Sequence, residues 1–160
     1  MPFIMIWYVD GGCRNNGAID AKGAAAAIRS TRVGNISYTL QLPYNGIPHT
    51  NQRAELLAII IALKESLNLY QTLDFAPFLD VTIHCDSRYA IGCMTQWIQR
   101  WSQNGWINSK GRAVVNQDLI REAFDLQNQL LRYGSLKYTW IERAENHIAD
   151  GACQKILDGM

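Results

Sequence analysis

Apolar and polar positions change their period several times along the chain, and each period predicts an element. Residues 4–9 form an unbroken apolar run rich in β-branched and aromatic side chains, which predicts a strand buried on both faces. The glycine- and amide-rich stretch 10–17 follows as turn chemistry. Residues 23–28 are small and apolar, and their pattern suits a helix or a strand equally. Residues 36–42 alternate with period two, as a half-buried strand does, and the prolines at 43 and 48 then break the chain. Thr50 and Asn51 are N-cap residues for a long helix running to Tyr70. That helix is apolar around most of its circumference, so it needs neighbours on more than one side.

The second half reads in the same way. Residues 71–80, with Pro77, are a connection, and residues 81–85 are another apolar strand. Ser87 can cap a helix running towards Trp97, and the helical pattern fails around residues 101–106. An amphipathic helix is predicted from Asn116 or Gln117 to Leu131, a strand over 136–141 and a last helix over 144–157. Three strands, a helix, a strand, helices, a strand and a helix make an α/β fold with a mixed sheet whose first part is an antiparallel meander. No repeat or low-complexity tract interrupts it, and the 160 residues are expected to form one domain.

Composition narrows the class. A 48% hydrophobic and 18% charged chain is an ordinary globular one. No apolar run approaches the roughly 20 residues that cross a bilayer, so no membrane is expected. The apolar opening lacks a cationic start and runs straight into Asp10, unlike a signal peptide. Cys13, Cys85, Cys93 and Cys153 show no paired spacing, which fits a reducing intracellular compartment, cytoplasm or nucleus, better than a disulfide framework or a zinc site. Net charge is only +1, but residues 87–117 hold no acid and carry Arg88, Arg100, Lys110 and Arg112, a +4 segment on a −3 remainder. Such a patch is either a footprint for a polyanion or a solvated surface.

Four carboxylates stand out. Asp10 and Asp86 each follow an apolar strand, Glu55 lies inside the apolar stretch of the long helix, and Asp150 lies in the last helix. In α/β sheets, function gathers at the carboxyl ends of strands. Acids converging there repel one another unless cations sit between them. All-oxygen sites with open positions suit Mg²⁺ or Mn²⁺, and two close ions activate water and steady a leaving oxygen in phosphodiester cleavage. Taken singly, Asp10 also reads as a turn residue, Asp86 as a helix cap and Asp150 as a surface residue.

The motifs Asp10-Gly-Gly-Cys13-x-x-Asn16-Gly17, Thr50-Asn51-Gln52-Arg53-Ala54-Glu55-Leu56 and Asp86-Ser87-x-Tyr89 resemble those of type 1 ribonuclease H. So do Trp97-x-x-x-Trp101-x-x-Asn104-Gly105-Trp106-x-x-Ser109-x-Gly111 and Val115-Asn116-x-Asp118-Leu119. The resemblance implies the ribonuclease H-like fold, with a five-stranded mixed sheet flanked by helices. It implies endonucleolytic hydrolysis of the RNA strand of RNA–DNA hybrids, with two Mg²⁺ (or Mn²⁺) held by Asp10, Glu55, Asp86 and Asp150. By position it places Cys13, Asn16, Asn51 and Gln52 against the RNA strand and its 2′-hydroxyls. It places Tyr89, Trp97, Trp101 and Ser109 along the DNA strand, and Thr50 and Asn116 at a DNA phosphate. The tryptophans read alternatively as ordinary core. No obligate protein partner is implied, and a monomer suffices.

Three departures accompany the resemblance. The segment before Asp150 keeps an Asn four residues upstream, Asn146, but its loop is shorter and lacks the family's usual His. His147 is the auxiliary candidate in its place. Residues 99–110 are less basic than in many relatives, which implies weaker, less salt-dependent binding. Pro48 stands where many relatives carry a basic residue beside the phosphate pocket. A non-catalytic hybrid-binding module and another nuclease of the same fold remain open as alternatives.

Overall fold

A computed structural model describes residues 1–160. Five strands form one sheet: β1 (Phe3–Arg14), β2 (Lys22–Thr31), β3 (Gly34–Gln41), β4 (Leu79–Cys85) and β5 (Gly134–Trp140). Their order across the sheet is β3-β2-β1-β4-β5. The β1–β2 and β2–β3 pairs are antiparallel, and β1–β4 and β4–β5 are parallel. The mixed sheet read from the sequence is therefore the observed one. Helix α1 (Asn51–Thr72) covers one face, and α4 (Gln117–Leu131) packs against α1 and against β5. Helix α5 (His147–Asp158), entered through a 3₁₀ turn (Arg143–Asn146), packs on the opposite face against β1, β2 and β3. No helix is long and apolar enough to cross a membrane.

Residues 23–28 resolve as strand because their small side chains suit a sheet covered on both sides. Ala25 and Ala27 enter the large core with α1, while Ala24 and Ala26 pack on Cys153 and Leu157 of α5. The first strand is longer than its apolar run. Asp10 does not end it; β1 continues to Arg14 because residues 10–14 find ladder partners from Ala26 back to Lys22 on β2. The turn starts only at Asn15, which adopts a left-handed φ of 55°. Pairing along an available neighbour thus outweighs the turn tendency of Gly11 and Gly12.

The helix after Ser87 also differs from expectation. It runs as α2 (Arg88–Gly92), a π-turn (Cys93–Trp97) and α3 (Ile98–Gln103), so Trp101 is still helical. The wider π-turn inserts a residue and shifts the phase of everything beyond it. Met94 and Ile98, four residues apart, both lie in the core as an ordinary helical period would place them; it is beyond the π-turn that the helix continues, through Trp101 to Gln103, where the sequence pattern fails.

One partly buried ion pair joins α1 to α4. Arg53, 4% exposed, donates from Nη1 (2.9 Å) and Nη2 (2.7 Å) to the two carboxylate oxygens of Asp118 in the first turn of α4. These bonds hold the Asp118 carboxyl below its usual range. Asp118→Asn should cost about 2 kcal/mol at pH 7, less than for a fully buried pair because the Asp118 side chain is half exposed. A carboxyl depressed on folding contributes stability above its unfolded pKa and loses it as pH falls through the folded value. The gap between thermal melts of the variant and the wild type should therefore hold at neutral pH and narrow as the carboxyl is protonated in strong acid, below its ordinary range. A gap that did not narrow at all as the pH was lowered would mean that the lost stability is packing rather than charge.

Candidate functional site

Parallel pairing ends at Val9 opposite Cys85, so Asp10 and Asp86 stand side by side one residue further on. Glu55 arrives from α1, whose first turn rests directly on Gly11. A β-carbon there would lie 2.2 Å from the Ala54 carbonyl carbon and 2.4 Å from the Glu55 nitrogen. Asp10, Glu55 and Asp86 each present an oxygen within 4.8 Å of the other two. Asp150, on α5, lies outside that triad but abuts Asp10 and raises its pKa. The structure thus gathers all four acids, three tightly and the fourth against Asp10.

Their electrostatics are unfavourable for bare carboxylates. Asp10 is 4% exposed and its Oδ1 has no hydrogen-bond partner. Burial first, and then the charge of Asp86 and the presence of Asp150 and Glu55, push its pKa up to about 8. Glu55 is also raised, chiefly by burial, and is partly relieved by the Ser87 hydroxyl and by Arg143. Nearby thiols feel the same surroundings: burial and these acids push Cys85 and Cys153 up to about 12. An all-oxygen set with an orphaned buried oxygen fits a hard divalent cation.

Two side chains fix Asp86 from behind. Trp140 Nε1 donates to the Asp86 carbonyl (3.2 Å), and the Arg88 guanidinium lies 3.9 Å over the Trp140 ring. Asn146, 1% exposed, donates from Nδ2 to Val9 O (2.7 Å) and to Asp86 Oδ2 (3.3 Å). It ties the middle of β1, Asp86 and the start of α5 together. Ser87 does more than cap: its Oγ accepts from Ala90 N–H (3.0 Å), and its hydroxyl also reaches Glu55. His147 lines a cavity with Tyr8, Ser30 and Asn35 and bonds to none of the four acids.

The remaining sequence-selected residues fall into two groups around the start of α1. Asn16 Oδ1 accepts from Asn51 N–H (2.8 Å), which joins the β1–β2 turn to that helix, with Cys13 three residues before Asn16 on β1. Thr50 caps α1 by accepting from Arg53 N–H (3.1 Å). Asn116, in a left-handed conformation at φ 65°, donates to Tyr89 Oη (2.9 Å) and to Gln52 Oε1 (3.4 Å). Arg53 completes this cluster through Asn116 Oδ1 (3.4 Å). Tyr89, Trp97, Trp101 and Ser109 line one groove of about 450 Å³. Trp97 and Trp101 are half-buried there, with ring centroids 5.9 Å apart, so they serve as groove wall as well as core.

The RNase H family profile matches residues 3–156. The chain belongs to the ribonuclease H family. Ribonuclease H of Schizosaccharomyces pombe is 35% identical over 131 residues, which cover 82% of this chain and 44% of that protein. The chain spans about half the length of the curated ribonuclease H relatives it matches first. Among solved structures, ribonuclease H1 of the archaeon Halobacterium salinarum superposes with a TM-score of 0.64 at 21% identity, covering 99% of this chain and all of the other. LC11-RNase H1, solved in complex with RNA/DNA hybrid, superposes with a TM-score of 0.61 at 22% identity, over 96% of this chain and 99% of its own. These likenesses bear out the ribonuclease H fold.

Sequence reasoning did not find the supports behind the acids. Trp140, the Ser87–Glu55 contact and the Arg53–Asp118 pair leave no local signature, because each joins residues distant in sequence. Asn146 was visible only through its spacing to Asp150.

Proposed function

We propose that this ribonuclease H chain hydrolyses the RNA strand of RNA–DNA hybrids, dependent on two divalent ions, leaving 5′-phosphate and 3′-hydroxyl ends. The observation that carries the reading is the convergence of Asp10, Glu55 and Asp86, with a groove walled by Trp97 and Trp101 on the helical segment that follows Asp86. The hybrid bound in LC11-RNase H1 supports the choice of substrate.

Asp10, Glu55, Asp86 and Asp150 would hold the ions, Mg²⁺ or Mn²⁺. Bound there, divalent ions supply the Lewis acidity that activates a water and offsets charge on the departing 3′ oxygen. Asn146 keeps the Asp86 carboxylate aimed, Trp140 holds the Asp86 backbone, and the Ser87 hydroxyl eases the buried charge of Glu55. Cys13, Asn16, Asn51 and Gln52 offer polar groups to the minor groove, where the 2′-hydroxyl distinguishes RNA from DNA. Tyr89, Trp97, Trp101 and Ser109 receive the DNA strand, whose sugars leave room for aromatic contact. Thr50 and Asn116 take a DNA phosphate. His147 has no part in this reading.

RNA–DNA, RNA–RNA and DNA–DNA duplexes tested side by side decide the matter. Cleavage is expected for the RNA strand of the hybrid alone, to be lost in EDTA and restored by Mg²⁺ or Mn²⁺. Tight hybrid binding without cleavage would make the chain a binding module instead. Equal cleavage of DNA duplex would make it a different nuclease of the same fold.

A further inference from the structure

His49 is a buried polar residue to which none of the chemistry above assigns a part. It is 4% exposed and precedes the α1 cap, Thr50. Its Nδ1 accepts the Gly23 N–H (2.9 Å), so that nitrogen carries no proton. The proton therefore resides on Nε2, which donates to the Pro43 carbonyl (3.1 Å). The backbone carbonyl of His49 accepts the Gly17 N–H (2.9 Å), and the Tyr44 ring stacks on the imidazole with centroids 4.8 Å apart. One side chain and its own carbonyl thus join the start of β2, the exit of β3, the β1–β2 turn and the start of α1.

These are the segments that carry the RNA-facing groups. Gly23 lies directly across the β1–β2 ladder from Cys13. Gly17 is the neighbour of Asn16, and Asn51 lies two residues beyond His49. The four acids are held by other contacts: the β1–β4 ladder, the seat of α1 on Gly11, and Asn146. The imidazole therefore braces, from the start of β2 and the exit of β3, the link that Asn16 Oδ1 and Asn51 N–H (2.8 Å) make between Cys13 and Asn16 on one side and Asn51 and Gln52 on the other, and it contacts none of the carboxylates.

We propose that His49 is a positioning residue for recognition of the ribose-bearing strand, fixing the separation of the two polar groups that meet its 2′-hydroxyls. The proposal rests on the hybrid-cleaving reading above. His49→Phe keeps a flat ring against Tyr44 and deletes both imidazole bonds. With both imidazole bonds gone the RNA-facing groups lose part of their fixed arrangement, so KM for a hybrid should rise on the order of tenfold, with kcat within about twofold of wild type. Affinity for the hybrid, measured without divalent ions, should fall towards that for a DNA duplex of the same sequence. His49→Asn retains an acceptor near the Nδ1 position and should recover part of both losses. If His49→Phe does not fold, His49→Asn is read alone, with an intermediate KM and kcat near wild type expected. An unchanged KM and hybrid preference in the folded variants would overturn the proposal, as would a fall in kcat with KM unchanged. Wild-type protein run in the same assays separates the two readings, because its own failure to cleave or prefer the hybrid would reject the proposed function, not the part played by His49.

Discussion

Asp10→Asn is expected to abolish cleavage and, in metal-free buffer, to make the protein more stable. Asp10 is the most buried of the four acids, and burial with three acidic neighbours pushes its pKa to about 8. Asparagine keeps the shape, removes the charge and offers amide hydrogens to the surrounding carboxylates. Relief of that repulsion should raise stability at pH 9 by about 1–3 kcal/mol, several degrees in Tm for a chain of this size. Activity should fall roughly a thousandfold, since about 4 kcal/mol of transition-state stabilisation goes with a lost ligand. The pH dependence has a definite sign. A carboxyl whose pKa rises on folding contributes stability that is complete below its unfolded value, near 4, and is lost as pH climbs through about 8. Metal-free wild type should therefore melt at a lower temperature at pH 9 than at pH 6, and Asp10→Asn should flatten that slope. Mg²⁺ should stabilise the wild type by mass action and the variant much less. Calorimetric melts at both pH values, with and without Mg²⁺, check this together with a hybrid cleavage assay. A destabilised metal-free variant, or one that still cleaves, would refute the shared-charge account.

The contrast between legible and hidden parts of this molecule has a physical basis. Residues 4–9, 36–42, 81–85 and 136–141 announced strands through continuous or alternating apolar patterns, but their burial was less legible: Ile4 and Ile6 are exposed, so 4–9 buries one face and not both, and β3 is exposed along most of its length. The long helix was legible through its apolar pattern, and Glu55 stood out because its neighbours are apolar. What depends on a neighbouring segment was not legible. Extension of β1 through Asp10 to Arg14 needs β2 alongside, and the helix continues beyond the π-turn at Cys93–Trp97, where the sequence pattern fails. The acids could be named from motifs, whereas their repulsion is a product of burial that only packing creates. His49 makes the same point: in sequence it is a histidine between Pro48 and a helix cap, and its two ring bonds exist only once β2 and β3 are in place.

Gly11→Ala is expected to damage both the site and the fold, whereas Gly12→Ala, one residue away, should be nearly silent. The two glycines are equivalent in the motif but not in space. A methyl on Gly11 would fall 2.2 Å from the Ala54 carbonyl carbon and 2.4 Å from both the Ala54 oxygen and the Glu55 nitrogen. All three are backbone atoms, so no rotamer change relieves the overlap, and α1 must lift from β1 by more than about 1 Å to restore ordinary contact. Glu55 would move with the helix, away from Asp10 and Asp86. A misplacement of about 1 Å costs on the order of a hundredfold in rate, and overpacking against backbone costs about 3 kcal/mol or more. At Gly12 the nearest atoms are Cys153 Sγ and Leu157 Cδ1, each at 3.4 Å, close to ordinary van der Waals contact. Gly12→Ala should therefore change stability by less than about 1 kcal/mol and leave cleavage within a few-fold of wild type. Thermal melts of both variants, with hybrid cleavage at saturating Mg²⁺, measure the difference. Equal behaviour of the two would show that α1 yields freely at its first turn, and that its contact with Gly11 does not set the position of Glu55.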